Sequence, residues 1–223
     1  MSFPNAAKGI KRIYAAEVLK LFAYFCLVIL SVAASVVLAS TEEGGTSGLS
    51  DSLSFGTFVL TVIAGIAYAV LMIVAFIFNL TGYIKARSDN ENFKTALVFL
   101  IVGIVFSVLS ALVINQGISS ILYALSTLSD TLATIFVIAG VMQIAFQLGR
   151  EDINQKGATV LKLIIAVECI TFVLSFISTF FRSDTTSLIS LVLMVASLLI
   201  SFIKYILYLS FLSKSKKMLA EQQ

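Results

Sequence analysis

Six long apolar stretches divide this chain, and very few charged residues fall inside them. Residues 21–39, 58–78, 97–114 and 160–181 each match the length of about 17–25 residues that a helix needs to cross a bilayer. The run at 118–148 is longer and is interrupted by the polar string 126–130, and the last, 188–212, contains Lys204. In hydrocarbon, backbone N–H and C=O groups must be satisfied within a helix or around a closed barrel. Barrel strands alternate apolar and polar residues, and these runs do not. Composition agrees: 59% of the residues are hydrophobic and 12% charged, against about 25% charged in an ordinary soluble domain.

The expectation is an all-α integral membrane protein, a single membrane domain over 1–223. Its six transmembrane helices fall at roughly 19–40, 57–80, 95–115, 122–148, 160–181 and 187–212. The first run exceeds the 7–15 residues usual for a signal-peptide core, so it reads as a retained helix.

The basic residues orient these spans. Of the 15 Lys and Arg, only Arg182 falls on the face opposite the other 14 when the gaps are counted alternately. The N-terminal tail, the loops at 85–94 and 150–162 and the C-terminal tail carry the cations, whereas the loop at 40–56 has none. Cytoplasmic loops are enriched in Lys and Arg, which predicts both termini in the cytoplasm, in a cytoplasmic membrane of bacterial type. A cysteine placed at Ser47 is then expected to react with an impermeant thiol reagent from outside intact cells. Labelling only after lysis reverses the orientation.

A short string recurs in the outer loops: Ser50-Asp51-Ser52, Ser129-Asp130-Thr131 and Ser183-Asp184-Thr185. Asp51, Asp130 and Asp184 read as helix-capping residues, because a carboxylate accepts from the free N–H groups of a helix start and suits its positive end. Ala-x-Val at 16, 96 and 158 opens the alternate helices. Three tandem two-helix hairpins explain both series, and chance recurrence of common capping residues explains them too. Small residues at i, i+4 spacing offer close-packing faces in lipid: Ser31, Ser35 and Ala39; Gly65 and Ala69; Gly103, Ser107 and Ala111; Thr171, Ser175 and Thr179; Ser197 and Ser201.

The candidate polar pocket is Glu168, Lys204, Gln143, Gln147 and Asn79. Glu168 lies about 12 Å along its helix from the basic end, at 1.5 Å per residue. A carboxylate at that depth costs several kcal/mol unless it is paired, hydrated or protonated. Lys204 stands at a similar depth on the next helix and is its natural partner, although a lysine also snorkels to the headgroups. Gln143 and Gln147 share a helix face, and Asn79 closes the second helix at a comparable level.

Chemistry is sparsely supported. There is no His, and the two Cys, Cys26 and Cys169, lie in apolar runs, so no ordinary zinc site or Ser-His machinery is expected. Neither a Walker A string nor G-x-S-x-G is present. No cofactor, no metal and no nucleic-acid partner is expected, and the partners are the lipid bilayer and a second copy or another membrane component. The leading expectation is a non-enzymatic structural or accessory protein acting through its helix surfaces. The alternative is a small transporter or channel with a cytoplasm-facing site around Glu168 and Lys204.

Overall fold

The computed structural model describes residues 3–42, 48–180 and 187–221, with side chains described except at 34, 36–42, 48–55, 172–180 and 187–198. The described residues form six helices: α1 Pro4–Glu42, α2 Gly48–Ala86, α3 Glu91–Leu112, α4 Gln116–Gln147, α5 Glu151–Phe180 and α6 Ser187–Ala220. Among the described residues, Pro4–Ala33, Gly56–Ala86, Glu91–Leu112 and Gln116–Gln147 are long and apolar enough to cross a membrane. Their outer faces carry exposed Phe22, Phe25, Phe58, Ile63, Ile73 and Val105, which only a lipid solvent accommodates in such numbers. The chain is a helical membrane protein.

The helices outrun the apolar segments. α1 starts at Pro4 rather than near residue 19, and α4 at Gln116 rather than 122. Hydropathy marks where lipid begins, whereas a helix continues as long as its backbone bonds are made. The only proline occupies the first position of α1, where its missing N–H removes nothing and its fixed φ suits the helix.

Asp130 does not cap a helix. It stands well inside α4, whose N-cap is Asn115, with Oδ1 accepting from Gly117 N and Ile118 N. The polar string that resembled a loop is absorbed by the helix. The Thr127 hydroxyl donates to Tyr123 O and the Ser129 hydroxyl to Leu125 O, while the Ser126 hydroxyl reaches across to Gly103 O at 2.8 Å. Back-bonding of this kind lets Ser and Thr sit within a helix. The middle member of the proposed repeat is therefore not a turn. The side chain of Asp51 and the whole of Asp184 fall outside what is described.

The chain forms two compact units, 12–81 and 1–11 with 82–223. The first comprises most of α1 and α2. Within it Gly65 has nothing within 4 Å of where a Cβ would stand, and Ala69 is exposed. That small-residue face therefore packs against nothing described within this unit.

In the second unit α3 pairs closely with α4, α4 with α5, and α5 with α6. Among its described side chains, those at the start of α3, the end of α4, the start of α5 and the end of α6 include the buried Phe93, Ile138, Ile144, Ile153, Phe211, Leu212 and Met218. Of the stripe on α3, Gly103 is buried, and a Cβ there would lie 2.9 Å from Asp130 Oδ1, whereas Ser107 and Ala111 are exposed. Gly157 is the corresponding close approach on α5, where a Cβ would collide with Met142 of α4 and meet Phe211 of α6 at 3.1 Å.

Short turns lock the same end. α4 closes on Gly149, at φ 68, with Gly149 N donating to Phe146 O and Arg150 N to Ala145 O. This is a Schellman closure, which needs a residue free to adopt positive φ. Asp89, in the turn before α3, accepts from Ala6 N at 2.7 Å and from Asn5 Nδ2 at 3.0 Å. An acid remote in sequence thus satisfies the start of α1, where the helix dipole also favours it.

Candidate functional site

The residues expected to share one polar pocket occupy three settings. Glu168 of α5 and Lys204 of α6 meet directly, with Nζ 2.6 Å from Oε1. Both are partly exposed on the helix surface. The contact neutralises two charges set among apolar residues, each of which would be costly to leave alone away from water. It also ties α5 to α6.

Gln143 and Gln147 line a different feature. A polar cleft of about 440 Å³ opens between the end of α4 and the turn joining α2 to α3, with Arg87, Asp89 and Glu91 on its other wall. Gln143 Oε1 accepts from Asn90 Nδ2 at 3.0 Å and from Asn92 Nδ2 at 2.9 Å. Asn90 is at the same time the N-cap of α3, its Oδ1 accepting from Asn92 N. The glutamine therefore holds a helix start in place, and Gln147 faces the cleft one turn further along. Neither Glu168 nor Lys204 lines this cleft.

Asn79 belongs to the unit 12–81, where its Nδ2 approaches Glu17 Oε1 at 3.5 Å. Glu17 is itself only 6% exposed and takes a 2.8 Å ion pair from Lys20 one turn on. Asn79 is 3% exposed, and its Oδ1 has no hydrogen-bond partner among the described residues. Such an atom is expected to be met by water, because leaving it dry costs about 1–3 kcal/mol.

Glu17 and Asp89 were not anticipated as structural groups. Glu17 stands three residues before Lys20, a spacing that puts the two on one helix face. That signal was present but lay outside the expected span. Asp89 gave no local signal, because the N–H that it serves is distant along the chain.

A clasp closes the basic end of the second unit. Arg150 bonds both carboxylate oxygens of Asp152, and its Nη1 lies 2.9 Å from Glu221 Oε2 at the end of α6. The guanidinium holds the Asp152 carboxyl below its usual range, and the two acids raise Arg150. The contribution of Asp152 is thus present above its ordinary pKa of about 4 and fades as pH falls through the lowered value. Beyond it, Lys156 donates to Ser210 Oγ at 2.9 Å. Burial and the neighbouring Lys214 push its pKa down.

Among the described residues no three His, Cys, Asp or Glu side chains converge as a metal site would require. Cys26 and Cys169 are free thiols. No protein-family model, curated protein or solved structure matches the chain.

Proposed function

We propose that this is a six-span membrane protein with both termini in the cytoplasm, acting as a non-enzymatic structural or accessory component through its helix surfaces. One observation carries the reading: the acids buried or embedded in α1 and α5 are both engaged by lysines, Glu17 by Lys20 at 2.8 Å and Glu168 by Lys204 at 2.6 Å. A carboxylate that binds a travelling ion must exchange its partner, and these are held by covalently attached cations. Exposed apolar helix faces, including the small-residue face at Gly65 and Ala69, are what remains to offer a second copy or another membrane component.

The alternative is a transporter in which the Glu168–Lys204 pair opens and closes. It is favoured by the partial exposure of both side chains. Reconstitution into liposomes separates the two. Under imposed proton and potassium gradients, the accessory reading expects flux no greater than in protein-free vesicles, together with a discrete cross-linked oligomer in native membranes. Gradient-driven flux that Glu168→Gln removes would sink the accessory reading and establish the pair as a gate.

A further inference from the structure

A shallow groove of about 440 Å³ runs between α5 and α6, lined by Lys156, Thr159, Val160, Lys162, Leu163 and Leu207. Its wall is divided by chemistry. Val160, Leu163 and Leu207 make an apolar floor, and Lys156 and Lys162 stand at its margin. Lys214 approaches Lys156 closely enough to repel it. Among the described residues none of these three lysines forms an ion pair with an acid.

This contrasts with the turn between α4 and α5 at the same end of the unit. There Arg150 is satisfied by Asp152 and Glu221. At the groove the chain concentrates positive charge, and no acid among the described residues pairs with it. Like charges held together destabilise the fold unless something negative joins them. Burial adds to the penalty at Lys156, whose ammonium has one described oxygen partner, the Ser210 hydroxyl.

We infer that the groove is a binding site for one anionic phospholipid, its phosphate held by Lys156, Lys162 and Lys214 and an acyl chain lying along Val160, Leu163 and Leu207. The match is one of charge and of amphiphilic layout. A phosphate needs several donors on one side, and its acyl chain needs a dry wall directly beside them. Val160 begins the apolar run of α5, so the cations stand at the level where a headgroup ends and hydrocarbon begins. Basic clusters at that level attract anionic lipid. A soluble phosphate would use the cations and leave the apolar floor unused. The inference rests on α5 and α6 crossing the bilayer, as proposed above.

The test uses the full chain taken from vesicles of equal phosphatidylglycerol and phosphatidylcholine, with bound lipid read by native mass spectrometry. The expected result is about tenfold enrichment of phosphatidylglycerol, since each cation near the surface is worth severalfold in affinity. Lys156→Gln with Lys214→Gln is expected to return the bound lipid to the vesicle composition, and Lys8→Gln to leave the enrichment intact. Leu207→Trp fills the groove without touching a charge and is expected to lower occupancy of either lipid. It keeps the inference testable should the lysine variant fail to fold. Equal retention of the two lipids by the parent chain overturns the inference. So does full displacement by glycerol 3-phosphate, which carries the headgroup chemistry without a chain. Extraction that still requires detergent separates failure of the groove from failure of the membrane reading.

Discussion

Lys204→Met is expected to destabilise the protein in mild detergent by about 2–3 kcal/mol, and Glu168→Gln in the same chain is expected to recover about 1 kcal/mol of that loss. The two groups lie 2.6 Å apart, with side chains 25% and 31% exposed for Lys204 and Glu168. Removing one partner of a fully buried pair costs about 3–5 kcal/mol, because the other charge is left without compensation. Partial exposure places this pair below that range, since Glu168 retains some access to its surroundings. The double variant has no charge left to orphan. An amide facing a thioether fills similar volume, and the remaining cost is about that of one polar group in lipid, roughly 1–2 kcal/mol. The measurement is a double-mutant cycle on the midpoint of thermal unfolding, with Glu168→Gln alone completing it. A double variant no more stable than Lys204→Met would mean that the lysine snorkels independently and that the pair contributes no coupling.

That pair was legible in the sequence because both signals were local. Each charge interrupted an apolar run, and the count of residues to the basic end put both at one depth. Asp130 followed the same logic and misled it. A polar string in an apolar run resembles a turn, but Ser and Thr hydroxyls can bond carbonyls within a helix, and those around Asp130 do. What distinguishes the two outcomes is the opposing helix: Gly103 leaves room for Ser126 and Asp130 to approach α3. Gly103 was read as a packing residue, yet nothing in the spacing said what it would pack against.

The contacts at the basic end were less visible still. Asn90 reads as a helix cap from its position alone, but its second bond to Gln143 depends on how α3 and α4 pair. Gln143 and Gln147 were correctly seen to share a face. Their spacing carried no information that the face would meet the turn before α3 rather than Glu168. Hydropathy finds long apolar helices well, because every residue along them answers to one solvent. At the basic end each polar group answers to a particular partner, and that partner is set by topology.

Among the described glycines Gly9 leaves a Cβ the least room against backbone, and Gly9→Ala is expected to be the most damaging Gly→Ala substitution. A Cβ at Gly9 would stand 2.6 Å from Gly82 O, 2.7 Å from Ala86 Cβ and 2.9 Å from Ala86 N. Two of those atoms are backbone, so no change of rotamer relieves them and the end of α2 must retreat. Overpacking of this kind costs about 1–3 kcal/mol. The retreat also threatens the cap one turn away, where Ala6 N gives its hydrogen bond to Asp89 at 2.7 Å, a contact of a type worth about 0.5–2 kcal/mol. Against this, Ala favours the helix over Gly by only about 0.8–1 kcal/mol. The expected net loss is about 1–4 kcal/mol, and Gly9→Leu is expected to prevent correct assembly of this end altogether. Gly65→Ala is the internal comparison. Nothing lies within 4 Å of its Cβ position, so the helix preference acts alone and the change is expected to be neutral or stabilising by up to about 1 kcal/mol. Unfolding midpoints in the same detergent decide the matter. If the two alanine variants shift together, the contact between Gly9 and Gly82 does not hold α1 against α2, and the grip of Asp89 on Ala6 must be doing so without it.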